Sequence, residues 1–216
     1  MSSVLTSQPV RRVAADRIVL PPTLATTDTR GRILEASLGL FAERGFAGTS
    51  IRDIAGAVGI QTATLYGHFP SKEHILAELT LAGHDGHRRA MADAVAAAGA
   101  DPAAQLAALV RAHVIFHAEF AMLATVSNAE LPALSPELVA DSIAVRSESE
   151  RLLTGIIDRG VESGRFTTRD AWLAASAIGG MGLRVSNWFG PGSPMTAEHV
   201  ADTYADFALR IVGAAP

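Results

Sequence analysis

The sequence of 216 residues contains no cysteine, which excludes a disulfide framework, a thiolate metal site and a cysteine nucleophile. This absence fits a reducing compartment. The N-terminal residues lack the uninterrupted apolar core and small-residue cleavage site of a signal peptide, and no stretch has the apolar length needed to span a bilayer. We therefore expect a cytoplasmic protein that does not bind a membrane.

Signals of β-structure and of catalysis are also missing. Alternation of apolar and polar residues is nowhere long enough for a sheet, whereas nearly every segment repeats apolar residues at helical spacing. No histidine has a serine or aspartate partner placed by a motif, and no signature of converging carboxylates is present. The pattern predicts an all-α protein that is not an enzyme and needs no cofactor.

Charge is distributed unevenly along the chain. Residues 1–80 hold 8 Lys/Arg and 7 Asp/Glu, net +1, whereas residues 81–216 hold 10 and 15, net −5. A slightly basic head on an acidic body suits contact with nucleic acid at one end only. Within the head, Ser, Thr and Pro interrupt residues 1–28, which we expect to form a flexible arm. A solvated tail is favoured for this arm over a contact with DNA.

Three helical segments follow within residues 29–80. The first extends from about residue 30 to 44, and the second begins at Ser50, which has capping-box spacing to Asp53, with Thr49 as a rival cap. The third extends from about Thr62 to His68. Two short helices joined by a tight turn indicate a helix-turn-helix.

The third segment has the character of a recognition helix. Its leading residues are small and polar, so that its backbone can approach the bases of a major groove: Gln61, Thr62, Ala63 and Thr64. The Tyr66 hydroxyl and the His68 imidazole can each hydrogen-bond a phosphate, and Lys72 follows as an electrostatic anchor. The alternative for the two rings is a half-buried pair that braces one helix against another.

Residues 30–79 resemble the DNA-binding domain of the tetracycline-repressor (TetR) family of bacterial transcription regulators. The resemblance covers "ILEASLGLFAERGFAGTSIRDIAGAVGI" and "TATLYGHFPSKEHIL" without a gap. It implies that the following residues meet double-stranded operator DNA: Thr49, Ser50, Gln61, Thr62, Ala63, Tyr66, His68 and Lys72. Thr62 stands where the family often has Lys, and Gly67 where a bulkier residue is usual. The operator, which we expect to be an inverted repeat, need not match that of a relative.

Residues 81–216 are expected to form a larger helical domain for ligand binding and dimerisation, giving about nine helices in all, the count expected for the family. Long helices begin at Ser71, at Asp101-Pro102 and at Ser135-Pro136, and two more close the chain. These last two helices predict a homodimer, because they carry more apolar surface than the pair can bury. The apolar residues are Ala174, Ala175, Ile178, Met181, Val185, Trp188, Val200, Tyr204, Phe207 and Ile211.

The candidate ligand site lies on one helix face. His113, Phe116, His117 and Phe120 recur at i, i+3, i+4 and i+7, a pattern that fits either the wall of a pocket or plain core. His113 and His117 have the i, i+4 spacing of a metal pair. No Glu of an HExxH motif lies between them, so no metal site is predicted.

The body contains the segments "NAELPAL", "GVESGRF" and "AIGGMGLRVSNWFGPGSPMTAEHVADTY" and a long helix that carries Arg146 and Arg151. With these segments it resembles, more faintly, the ligand domain of the TetR branch that controls fatty-acid and sterol-ring breakdown. That resemblance implies an acyl-coenzyme A (acyl-CoA) effector, with Arg146 near its phosphates. The alternative for Arg146 is a solvated face or an ion pair with Glu150. The implied function is a ligand-released repressor, with activation left open. The alternative is a helical enzyme or a lipid or acyl-CoA carrier that retains a helix-turn-helix.

Overall fold

The computed structural model describes residues 17–214, and within this range the chain is entirely helical, as predicted. Ten α-helices and one turn of 3-10 helix, Leu131–Ala133, make up the described part. The α-helices are α1 Thr29–Arg44, α2 Ile51–Val58, α3 Thr62–His68, α4 Lys72–Ala97, α5 Pro102–Glu119, α6 Ala121–Ala129, α7 Pro136–Glu162, α8 Ala171–Leu183, α9 Val185–Trp188 and α10 Ala197–Ile211. The predicted count was about nine, and the single turn α9 continues the predicted α8 after a break at Arg184.

Local caps define most of the helix starts. Asp28 accepts a hydrogen bond from the Gly31 amide at the start of α1, and Asp101 accepts one from the Ala104 amide at the start of α5. The capping box of Ser50 and Asp53 is present in both directions at α2. Helix α6 has no such signal, because its N-cap is Phe120, whose side chain makes no capping hydrogen bond.

Two apolar cores share helix α4. The first half of α4 buries Ile75 and Leu79 in a core formed with α1, α2 and α3, and α6 completes this core with Leu123 and Val126. The second half buries Met91 in a core formed with α5, α7, α8 and α10. Each fully buried Leu or Ile contributes about 1.5–3 kcal/mol. A single continuous helix of 26 residues, about 39 Å long, thus connects the head to the body.

Helix α5 is the central helix of the body. It packs against α4, α7, α8 and α10 and buries apolar side chains on several faces, which explains why its apolar pattern is broad. Among residues 17–214 no single helix is long and apolar enough to cross a membrane. Helices α5 and α6 reach that length and composition only as a pair, bent by 94°.

The segment before α1 differs from the predicted flexible arm. Residues 1–16 lie outside the described residues. Beyond them, Leu24 is buried in the head core, and Ile18 and Leu20 pack against it. The predicted arm therefore does not extend to residue 28, because these three side chains find an apolar surface on the head.

The apolar surface of the last helices is also arranged differently from the prediction. Ala174, Ile178, Val185 and Val200 are buried in the body core of the same chain, so these four side chains are not available to a partner. Three of the predicted side chains do remain exposed, Trp188, Phe207 and Ile211, and Leu173 is exposed beside them. The predicted excess of apolar surface is therefore present at these positions, whereas most of the predicted face of α8 packs on the core of the same chain.

Candidate functional site

The recognition helix α3 presents the predicted polar residues to solvent. Leu65 and Phe69 are fully buried and fix α3 on the head core. On the opposite side Gln61 and Ala63 are exposed, and the Tyr66 side chain is 54% exposed. Thr62 and His68 are half-buried beside them. The exposed leading end leaves room for the backbone to approach a groove.

Ser50 lies beside α3 at the start of α2 and remains exposed. Its hydroxyl accepts the Asp53 amide at 3.1 Å and donates to the Asp53 carboxylate at 2.5 Å. The hydrogen bond that the Ser50 hydroxyl donates to the Asp53 carboxylate is the main cause of a lowered Asp53 pKa, and the hydrogen bond from the Ser50 amide lowers this pKa further. Any contact of Ser50 with DNA must therefore coexist with, or replace, these capping bonds.

Thr49 does not reach the surface, contrary to the predicted DNA contact. Its side chain is buried, and its hydroxyl donates to the Gly45 carbonyl oxygen at 2.9 Å. That carbonyl lies just past the end of α1, where no helical amide is available to it. Thr49 thus stabilises the turn between α1 and α2, and Ser50 alone provides the exposed cap.

Lys72 is likewise bound within the head rather than free as an electrostatic anchor. Its ammonium donates to the carbonyl oxygens of Phe46 and Thr49, both at 2.6 Å, and lies 4.1 Å from the centre of the Phe46 ring. Burial lowers the pKa of the Lys72 ammonium. The side chain ties the first turn of α4 to the turn before α2, where it supplies a donor to the Thr49 carbonyl and a second donor to the Phe46 carbonyl, which also accepts the Thr49 amide.

Arg30 is a second cationic tie that the sequence pattern did not indicate. It donates to the His68 carbonyl oxygen at 2.8 Å, pairs with Glu78 and covers the Phe69 ring at 4.1 Å. These contacts join the start of α1 to the end of α3 and to α4. The recognition helix is therefore held at its C-terminal end.

The body encloses a cavity of about 570 Å³ between α4, α5, α7 and α8. This volume lies in the range of sites for small molecules and cofactors. Its interior includes Met91, Leu109 and Phe116, whereas Arg146 and Arg151 contribute charged groups from α7. An apolar interior with cationic groups at one wall suits an amphipathic ligand.

Four of the five predicted ligand-site residues line this cavity. They are His113, Phe116, His117 and Arg146. Phe120 does not line it. The backbone leaves the helical conformation at this residue, the C-cap of α5, so its ring packs on the head core, 4.8 Å from the Phe116 ring. The i+7 position therefore departs from the face that the periodicity predicts.

His84 and His87 of α4 also line the cavity, and the sequence interpretation missed both. The segment "AGHDGH" contained a signal, since Gly83 and Gly86 flank the two histidines. A Cβ at Gly83 would lie 2.7 Å from Ser127 Oγ, and one at Gly86 would lie 3.2 Å from the Phe116 ring. The glycines permit α4 to approach α5 and α6 closely, which brings the imidazoles into the cavity.

The buried imidazoles are neutral at pH 7. Burial is the main cause in each case: it lowers the pKa of His84 to about 4 and of His117 to about 3, and those of His87 and His113 fall as well. The nearby Arg146 lowers the pKa of His84 further. Neutral rings can both donate and accept hydrogen bonds, so they can recognise a polar group without adding charge.

Arg146 approaches the cavity from α7. Its guanidinium donates to the Asn128 side-chain oxygen at 3.4 Å rather than pairing with Glu150. Asn128 in turn donates to the Ala124 carbonyl oxygen at 2.7 Å, which fixes its amide. The remaining donors of Arg146 can face a negatively charged ligand group.

Comparison with known proteins identifies the kind of protein that combines these two sites. Residues 33–79 match the model for bacterial regulatory proteins of the tetR family, and residues 99–212 match the tetracyclin repressor-like C-terminal domain. The chain belongs to the TetR family. The prediction from the helix-turn-helix is thereby confirmed.

Relatives cover nearly the whole chain. The HTH-type transcriptional repressor KstR2 of Rhodococcus jostii RHA1 is 30% identical over 194 residues, 88% of this chain and 95% of the repressor. The structure of the ketosteroid transcriptional regulator KstR2 of Mycobacterium tuberculosis has a TM-score of 0.79 at 26% identity, covering 88% of this chain and 97% of that one. AibR, solved in complex with isovaleryl coenzyme A and operator DNA, has a TM-score of 0.74 at 25% identity, covering 85% and 97%.

These relatives are transcription regulators, not enzymes, so the predicted absence of enzymatic activity is confirmed. In a TetR-family regulator the head binds DNA and the body binds a small molecule.

Proposed function

We propose that this TetR-family protein is a homodimeric repressor that an acyl-CoA thioester releases from an inverted-repeat operator. Residues 29–80 are assigned to DNA binding, and residues 81–216 to effector binding and dimerisation. The protein acts in the cytoplasm, where bacterial operators are found. The cavity carries this proposal because it places an apolar interior and cationic side chains beside the helix that enters the head.

The acyl group fits the apolar interior, next to Met91, Leu109 and Phe116. A coenzyme A moiety is too polar for that interior and would extend past Arg146 and Arg151, whose guanidinium groups suit phosphates. KstR2 of Mycobacterium tuberculosis is a ketosteroid transcriptional regulator, and AibR was solved in complex with isovaleryl coenzyme A. Both relatives support this effector class. Ring-bearing and straight-chain thioesters are both compatible with the cavity.

Helix α4 provides the route for release. Its first residue lies against the turn before α2, while His87 and Met91 line the cavity. An effector that prefers a different tilt of this 26-residue helix changes the separation of the two recognition helices in a dimer. The effector must bind the DNA-free geometry more tightly than the DNA-bound one. An effector with equal affinity for both geometries would not shift the equilibrium between them.

Effector release is tested by fluorescence anisotropy with an operator duplex selected from a random pool. A long-chain or ring-bearing acyl-CoA is expected to weaken operator binding about 5- to 150-fold, the range of a coupling of about 1–3 kcal/mol. Free coenzyme A and the matching free acid serve as controls and should act more weakly. If no thioester changes the operator affinity, the proposal is wrong.

A two-fold dimer would cover the apolar side chains that α8, α9 and α10 leave exposed, among them Leu173, Phe207 and Ile211. The pairing fits a four-helix bundle formed by α8 and α10 of two chains. Gly180 of α8 is exposed, and a Cβ there would meet no atom within 4 Å, so the backbones can approach each other. Sedimentation at micromolar concentration should give a dimer, and a monomer would contradict the assignment.

The contacts of Lys72 make its contribution to DNA binding testable. Lys72→Met leaves the Thr49 carbonyl without its donor and leaves the Phe46 carbonyl with only the Thr49 amide, which we expect to lower the free energy of unfolding by about 1–3 kcal/mol. The affinity for DNA should fall by the same factor for every operator sequence, while the salt dependence of binding stays unchanged. A direct phosphate contact predicts instead a salt slope smaller by about 0.9 per lysine, with unchanged stability.

A further inference from the structure

Three histidines converge at one end of the cavity. His113 and His117 lie one turn apart on α5, and His87 reaches them from α4, with ring centres 4.6–5.0 Å apart. One nitrogen of each ring can be chosen so that all three lie within 4.8 Å of one another. Gly182 of α8 permits this arrangement, because any Cβ there would overlap the His113 ring.

Backbone carbonyls already orient two of these rings. The Nε2–H of His113 donates to the Gly179 carbonyl oxygen at 3.0 Å, and the Nδ1–H of His117 donates to the His113 carbonyl oxygen at 2.8 Å. Because each neutral ring carries one proton, these bonds leave His113 Nδ1 and His117 Nε2 unprotonated, and the lone pair of His113 Nδ1 accepts a hydrogen bond from His87 Nε2–H. Metal-binding histidines are held in the same way, by a hydrogen bond from the nitrogen opposite the metal.

We propose that His87, His113 and His117 bind a divalent transition-metal ion of the Zn²⁺ type, with one coordination position open to the cavity. Three imidazoles with an open fourth position form the donor set of a catalytic or ligand-binding zinc site, not of a closed structural one. An all-imidazole set suits Zn²⁺, Co²⁺, Ni²⁺ or Cu²⁺ and disfavours Mg²⁺ and Ca²⁺, which prefer oxygen.

Binding requires a small adjustment of the rings. Metal–nitrogen distances of about 2.0–2.1 Å in a tetrahedral site place the nitrogens about 3.3 Å apart. His87 Nε2 now lies 2.7 Å from His113 Nδ1 in a hydrogen bond, so metal binding requires the His87 proton to move from Nε2 to Nδ1 of the same ring and the two nitrogens to separate slightly. His87 is the least buried of the three, and its ring can rotate most easily.

The open position gives the metal a use in recognising the effector. A carbonyl or carboxylate oxygen of a ligand in the cavity can complete the coordination, which fixes the polar end of a largely apolar molecule. The metal site itself does not depend on which effector binds or on the release from DNA. It is therefore tested on the protein alone, without DNA or thioester.

The test titrates tag-free protein, freed of metal by a chelator, with Co²⁺. The expected result is a visible d–d absorption of low-symmetry Co²⁺ that saturates at one ion per chain and is abolished by Zn²⁺. Absence of a saturating signal from the unaltered protein overturns the proposal, whatever the variants do. This arm needs no substitution in the cavity, so a folding defect cannot obscure it.

Variants assign the ligands. His87→Gln and His117→Gln should each weaken Co²⁺ binding by at least about 100-fold. Loss of a residue that only hydrogen-bonds to a metal ligand already weakens metal binding by up to about 100-fold, and loss of the ligand itself should weaken it at least as much. His199→Gln is the matched control, since His199 is exposed on α10 and lies outside the cavity. Binding that survives in both cavity variants, or that is lost in the control, contradicts the site. Circular dichroism confirms that each variant is folded.

Discussion

Replacing Tyr66 with alanine is expected to weaken operator binding about 30- to 150-fold without lowering the stability of the fold. The Tyr66 side chain is 54% exposed on α3, between the buried Leu65 and Phe69, so its removal leaves the head core intact. A hydrogen bond from its hydroxyl to a phosphate is worth about 1–1.5 kcal/mol. Two copies in a dimer give about 2–3 kcal/mol, which corresponds to the stated range.

Anisotropy with the selected operator measures this loss, and urea unfolding provides the control. Tyr66→Phe keeps the ring and removes only the hydroxyl, so most of the loss should already appear in that variant. An unchanged affinity of Tyr66→Ala would mean that α3 does not approach DNA in the proposed orientation. A loss confined to Tyr66→Ala would assign the contribution to the ring rather than to a phosphate hydrogen bond.

The head shows how far local sequence signals reach. Ser50 and Asp53 form the predicted capping box, and Gly59 ends α2 in the left-handed conformation with φ of 74°. These features depend on residues three or four positions apart, so the sequence alone defines them. The internal contacts of Thr49 and Lys72 could not be predicted in this way, because their acceptors are carbonyl groups whose positions depend on how α1, α2 and α4 pack.

In the cavity, local sequence signals predict the residues of a single helix but not the contacts between helices. The i, i+3, i+4 spacing placed His113, Phe116 and His117 on one face correctly, since that relation lies within a single helix. His87 lies 26 residues before His113, and only the packing of α4 on α5 brings the two rings together. Periodicity also indicates that α8 is apolar, but which side meets the core depends on α5 and α10.

The largest effect on regulation is expected from filling the cavity at Gly179. This residue lies on the face of α8 that also carries Trp172, Ser176 and Leu183, all of which line the cavity. A Cβ at Gly179 would meet no atom within 4 Å, so Gly179→Leu places its side chain in open space. The substitution also replaces a poor helix former, and we therefore expect a folded protein with normal operator affinity.

Effector response should nevertheless be weaker in Gly179→Leu, because the added side chain occupies the volume that the acyl group needs. Overpacking costs about 1–3 kcal/mol, so the thioester concentration for half-release should rise about 5- to 150-fold. Gly155→Leu makes the same change on α7 at a residue that does not line the cavity, and it should respond normally. Equal responses of the two variants would place the effector elsewhere. Since the Gly179 carbonyl still accepts the His113 ring proton after the substitution, Co²⁺ binding should persist in Gly179→Leu, which separates the metal site from the effector volume.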